Sequence, residues 1–191
     1  HYFIKAFNLN CKGLSYNKEA LQVINQALTI NPNYSAGLSI KALIFSEMKE
    51  YDKAIVLFDK AIMLDPKNSF AYNHKGLYYK SLGKVDKSKE FFELAIKVDP
   101  YFSVAHDNLG DYYMNKYNYE EAQKCFENAV QNNPDNTHAL TNLAKCLKDN
   151  KKPDEAMIWI DKAIENEPDY PWALDLKGTL LFDKKMYAES V

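Results

Sequence analysis

The residues with the chemistry for acid–base, nucleophilic or metal work are three spaced histidines, two pairs of adjacent acids and three cysteines. His74, His106 and His138 step by 32 residues, which invites a shared zinc site. That step slips two residues per turn of the chain's 34-residue beat, so the three rings fall on different faces of successive helices and do not converge. Packing explains them better: His106 fills an aromatic slot, while His74 and His138 line a groove. Glu120–Glu121 and Asp154–Glu155 resemble catalytic carboxylate pairs, but each pair opens a helix, where negative charge complements the dipole. Cys11, Cys125 and Cys146 are odd in number and lack CxxC spacing. They read as buried thiols in a reducing compartment. No P-loop, GxGxxG, GxSxG or HExxH is present. The expectation is no enzyme, no metal and no cofactor within these residues.

The elements that hold these residues announce themselves by period. Pro32, Pro66, Pro100, Pro134 and Pro168 recur every 34 residues, and Ala27, Ala61, Ala95, Ala129 and Ala163 keep the same beat five residues earlier. A period of this length marks a stacked helical array. Each unit reads as two amphipathic helices closed by a proline, because a residue before proline leaves the helical region. The units are 1–34, 35–68, 69–102, 103–136 and 137–170, with a partial one at 171–191. In the first unit Ile4, Phe7, Cys11 and Leu14 form one apolar face. Ser35, Ser69, Ser103 and Thr137 are candidate N-caps. Pro153 and Pro171 sit at helix starts, where a missing N–H costs nothing. Tyr187 marks the turn into a second helix that stops at Ser190–Val191. The small residues Ala42, Gly76, Gly110, Ala144 and Gly178 let the helices of a pair approach closely, facing Ala20, Ala54, Ala122 and Ala156. No unit buries its own face, so stacking is obligatory.

The fourth unit carries Leu109-Gly110, Tyr113, Ala122, Phe126 and Pro134, with His106 where an aromatic is usual. This pattern resembles the tetratricopeptide repeat family, and the resemblance covers the whole chain. It implies an all-α solenoid, a right-handed superhelix of helix-turn-helix units. It also implies a partner, a peptide or a helix, held in the concave groove lined by the first helix of each unit.

On that register the groove positions include Ile40 and Leu43 in the second unit and Phe70, Asn73 and His74 in the third. The fourth unit supplies Asp107, Asn108 and Asp111, the fifth His138, Thr141, Asn142 and Lys145, and the sixth Trp172. Asn108 and Asn142 share one register position, and an amide there matches a peptide group. In some members of the family asparagines at that position form a ladder to a peptide backbone. A chaperone-tail carboxylate clamp is disfavoured, since its basic positions hold Asn73, His138 and Asn142. The apolar stretch at Ile40 and Leu43 is expected to be covered by a partner helix or by the protein's own flanking segment.

The bulk properties narrow the partners. The 191 residues carry a net charge of −2 and no arginine, and lysines alternate with acids. No basic stripe exists to displace counterions from nucleic acid. No run approaches the roughly 20 apolar residues of a membrane span, and no signal peptide opens the chain. The reading is a protein–protein interaction scaffold or adaptor, an excerpt of a longer protein in a larger multiprotein assembly. The expected location is intracellular, cytoplasmic or cytoskeleton-associated. The alternatives are a regulatory array attached to a catalytic domain outside these residues and an architectural spacer.

Overall fold

The computed structural model describes residues 4–6, 8 and 16–189, with side chains as far as Lys184. Phe7, Cys11, Leu14, Ser190 and Val191 lie outside the described residues. Among the described residues there is no strand, and ten helices are delimited. They are α1 (Asn17–Ile30), α2 (Ser35–Glu47), α3 (Tyr51–Leu64), α4 (Ser69–Ser81), α5 (Val85–Val98), α6 (Ser103–Asn115), α7 (Tyr119–Asn132), α8 (Thr137–Asp149), α9 (Pro153–Asn166) and α10 (Pro171–Glu189). They fall into two compact units, His1–Pro100 and Tyr101–Val191. Within each unit consecutive helices pack in pairs, which is α-solenoid architecture.

In the first unit, Ala6, Ala20, Ile24, Ala27 and Ile44 make one buried cluster, and Leu38, Ala42, Phe58, Ala61 and Ala71 make the next. The α4–α5 pair shows why a small residue is needed. A Cβ built on Gly76 would run into Cε1 of Phe92. The second unit repeats this contact, where a Cβ on Gly110 would stand 2.5 Å from Cε1 of Phe126. The glycines therefore face aromatic rings of the partner helix, where the sequence register had placed alanines. Phe58, Phe92 and Phe126 are at most 1% exposed, and each contributes roughly 1.5–3 kcal/mol through burial.

The turns inside the pairs share one device. Lys49, Gly83, Tyr117 and Lys151 adopt φ of 61°, 70°, 57° and 61°. The residue after each donates its N–H to the carbonyl five positions back: Glu50 to Phe45 (2.8 Å), Lys84 to Tyr79 (2.9 Å), Asn118 to Tyr113 (3.0 Å) and Lys152 to Leu147 (2.8 Å). These bonds satisfy carbonyls orphaned at the helix end.

Capping departs from expectation by one residue. Ser35, Ser69, Ser103 and Thr137 are the first helical residues, so the caps are Tyr34, Asn68, Phe102 and Asn136. Asn68 and Asn136 accept from the N–H groups of Ala71 (2.9 Å) and Ala139 (3.3 Å). The hydroxyls of Ser35 and Ser103 donate instead to the carbonyls of Ala61 (2.8 Å) and Ala129 (2.9 Å), tying the start of one helix to the last turn of its partner. Pro153 and Pro171 do open their helices. Tyr187 does not mark a turn, because α10 continues to Glu189. Residues 183–189 are good helix formers apart from Asp183 and Tyr187, and among the described residues no helix folds back on α10 to end it.

Candidate partner-binding groove

In the second unit, α8 presents His138, Thr141, Asn142, Lys145 and Lys148, spaced three and four apart on one face. Across from them α6 carries Asp107, and α10 carries Trp172, Asp175 and Leu176. Asp107 is 7% exposed and organises this surface. Its Oδ2 lies 2.9 Å from Nδ1 of His138, and its Oδ1 accepts from Nδ2 of Asn142 at 3.0 Å. The His138 side chain is 55% exposed, so the contact to Asp107 anchors a ring that is partly accessible at the surface.

Between α8 and α10 lies a cavity of about 430 Å³, lined by His138, Asn142, Lys145, Lys148, Tyr170 and Trp172 among others. A smaller one, about 220 Å³, adjoins Asp111, Met114, Asn142 and Lys145. Asn142 and Lys145 line both, so the two form one groove along α8.

The polarity of this wall follows from its internal hydrogen bonds. Thr141 donates its hydroxyl to Thr137 O (2.8 Å), and Thr179 donates to Asp175 O (3.0 Å). With the Asn142 amide donating to Asp107, the hydroxyl and amide oxygens of these neutral groups keep acceptor capacity. Donors come from the ammonium groups of Lys145 and Lys148, neither of which has a carboxylate within ion-pair distance among the described residues. Tyr170 adds a phenol whose pKa is raised from 10.0, first by burial and then by Glu167 and Asp107. It therefore stays protonated and able to donate.

The groove thus gathers His138, Thr141, Asn142, Lys145 and Trp172, with Asp107 beneath and Asp111 at the adjoining cavity. Asn108 is half-buried on α6 and lines neither cavity. Tyr170 and Asp149 line the larger cavity without having been singled out in the sequence. For Tyr170 the available signal was its place as the last residue before a helix, where Tyr34 and Phe102 also stand.

The first unit treats its expected groove residues differently. Asn73 is 0% exposed, which corrects the expectation that it faces a partner. The His74 ring stacks on Phe58 (centroids 5.6 Å apart) and leans on Phe70 (4.2 Å). Burial pushes its pKa from 6.5 down to about 4, so it packs as a neutral ring. Ile40 is half-buried against the Ile24–Ile44 cluster, and Phe70 against that of Phe58, while Leu43 is half-buried on α2. Among the described residues no three His, Cys, Asp or Glu side chains form a metal-holding group, and no helix is long and apolar enough to cross a membrane.

Two family models match the chain. Residues 113–180 match the one described as Tetratricopeptide repeat, and residues 11–125 match Psidin, N-terminal TPR repeats region. No curated protein matches. Among solved structures, pilF of Pseudomonas aeruginosa is 19% identical over 99% of this chain and 86% of its own, with a TM-score of 0.78. TTC0263, a thermophilic TPR protein of Thermus thermophilus, is 18% identical over 95% and 97%, with a TM-score of 0.77. YrrB, described as a TPR protein with an unusual peptide-binding site, is 20% identical over 93% and 90%, with a TM-score of 0.61. At such identities these likenesses show the fold alone.

Proposed function

Because the chain belongs to the tetratricopeptide repeat family, a fold that serves as a scaffold for protein interaction, we propose that its second unit holds an extended peptide in the groove between α8 and α10. The observation that carries this reading is the groove of about 430 Å³ with Trp172 and Tyr170 along it and the ammonium groups of Lys145 and Lys148 on α8, neither with a carboxylate partner among the described residues. Aromatic faces supply contact area at low entropic cost. The acceptors of Asn142 and Thr141 suit the N–H edge of a strand, and the lysines suit its carbonyls or carboxylates. The division into 34-residue units and a place in a larger assembly belong to the same proposal. YrrB, with its unusual peptide-binding site, offers a precedent on this fold.

The test is selection of peptides from a display library on the Trp159→Phe variant, in which Trp172 is the only indole. Selected peptides change the emission of Trp172, and the double variant Lys145→Glu/Lys148→Glu loses them. Retention of every peptide by that double variant, or unchanged Trp172 emission, overturns the assignment.

A further inference from the structure

In the first unit, α4 and α5 share a complete box of rings and charges. The rings of Tyr79 and Phe91 stack with centroids 5.2 Å apart and planes 16° from parallel. Lys75 stands 4.5 Å over the Phe91 ring, and Lys87 stands 4.3 Å over that of Tyr79. Asp59 of α3, 16 residues before Lys75, pairs with its ammonium. The same interval joins Asp161 and Lys177, 2.8 Å apart.

One period earlier, α2 and α3 build this box and leave two of its parts out. Phe45 stands for Tyr79, Lys41 for Lys75 and Lys53 for Lys87. Both lysines lie over the Phe45 ring, at 5.9 Å and 5.4 Å. The second ring is missing, because Leu57 takes the place of Phe91. The acid is missing too, because the residue at the Asp59 interval from Lys41 is Asn25. Lys53 pairs with Glu50, whereas Lys41 has no carboxylate within ion-pair distance among the described residues. A cavity of about 410 Å³ lies beside Phe45, lined by Lys41, Asp52, Lys53, Val56 and Leu57. Asp52 does not set this pair apart, since Asp86 holds the same register in the complete box. α6 and α8 close the position differently: Leu109 and Leu143, 7% and 0% exposed, stand in the register of Lys41.

The gap therefore follows from two side chains, Leu57 and Asn25, in a pair with a helix packed on either side, α1 on α2 and α4 on α3. Its two missing parts specify what completes it. A flat ring stacks on Phe45 beneath the Lys41 ammonium, and a carboxylate meets that ammonium. Val56 on the lining is 65% exposed, so the entering group stays joined to the surface, as a side chain of a larger molecule does. We propose that the α2–α3 gap binds a peptide segment of a partner protein through an aromatic residue with an acidic residue beside it. The aromatic ring lies on Phe45 and the carboxylate on Lys41. This site lies in the first unit and the groove in the second, so the two assignments stand or fall apart.

The probe is the peptide acetyl-Ser-Asp-Trp-Asp-Ser-amide, titrated into the isotope-labelled 191-residue chain and followed by amide resonances. The amides of Lys41, Phe45 and Val56 shift saturably. Replacing the peptide's Trp by Ala, or both its Asp residues by Asn, weakens binding about fivefold or more. Leu57→Phe and Asn25→Asp supply the missing ring and the missing acid from within the chain. Each weakens the peptide by a similar factor and keeps or raises the melting temperature of the parent chain. Lys145→Glu/Lys148→Glu leaves the three shifts in place. Absence of saturable shifts at these amides, or unchanged affinity in Leu57→Phe, overturns the proposal. So does N-acetyl-tryptophan binding as tightly as the peptide, because the occupant is then a free aromatic acid. Sedimentation showing a dimer that Leu57→Phe dissociates also overturns it, because the occupant is then a second copy.

Discussion

The carboxylate of Asp107 on α6 meets the imidazole of His138 on α8 at 2.9 Å, across 31 residues of sequence. The same carboxylate holds Asn142. One buried acid thus fixes two residues of the groove wall. Asp107→Ala is expected to lower stability by about 1–3 kcal/mol, the range for groups that lose a charged hydrogen-bond partner, as read by urea denaturation. It also weakens peptides selected on the parent chain, because Asn142 and His138 must then be ordered by the ligand itself. Asp107→Asn keeps an acceptor for Asn142 and recovers part of both losses. Unchanged denaturation and peptide affinity in Asp107→Ala would show that the contact organises nothing.

Gly110 and Gly178 make an internal control. Replacing a mid-helix glycine by alanine ordinarily gains about 0.8–1 kcal/mol of helix propensity. At Gly178 that gain is realised, since nothing stands near the new methyl group. At Gly110 the methyl group would press on Phe126 at 2.5 Å, and overpacking of about 1–3 kcal/mol outweighs the gain. Thermal melts therefore rise for Gly178→Ala and fall for Gly110→Ala, with Gly110→Leu lower still. Equal shifts at the two sites would contradict the packing.

These two sites also show how far the sequence could be read. The 34-residue beat fixes helix pairs because proline and alanine at set offsets constrain the backbone locally. It shows that Gly110 must be approached closely, but not that an aromatic ring makes the approach, because that contact depends on the relative rotation of two helices. The same limit hid Asn73, whose register is that of Asp107 yet whose side chain is wholly buried. It also hid the Asp107–His138 pair, each member of which looked like an independent groove residue. The caps moved by one position because Ser35 and Ser103 find a carbonyl on the partner helix, a bond between residues 26 apart that no local rule contains.

His74 gives a pH signature. Burial between Phe58 and Phe70 holds its pKa near 4, against 6.5 in the unfolded chain. As pH falls below 6.5 the unfolded state takes the proton first, so the stability due to the neutral ring is complete above 6.5 and is lost progressively down to 4. The loss is up to about 3 kcal/mol, lessened where the ring touches solvent. His74→Phe keeps the aromatic packing and removes the titration. Its stability should therefore fall less than that of the parent between pH 7.5 and pH 4.5. Parallel denaturation curves for the two proteins across that interval would rule out a buried neutral imidazole.

The turns carry the last prediction. Lys49, Tyr117 and Lys151 hold the left-handed conformation that Gly83 holds in the α4–α5 turn. A side chain there costs roughly 1–2 kcal/mol, whereas glycine pays only its greater freedom in the unfolded chain, about 0.5–1 kcal/mol. Tyr117 is 79% exposed, so its ring has little burial to lose. Tyr117→Gly and Lys151→Gly should therefore each stabilise the protein by about 0.5–1 kcal/mol, the balance of those two costs. Gly83→Ala should destabilise it by a similar amount. The sites lie in different helix pairs, so the two gains should add in the double variant. Denaturation midpoints that fall in both glycine variants would mean that these side chains do something the strained backbone is kept for.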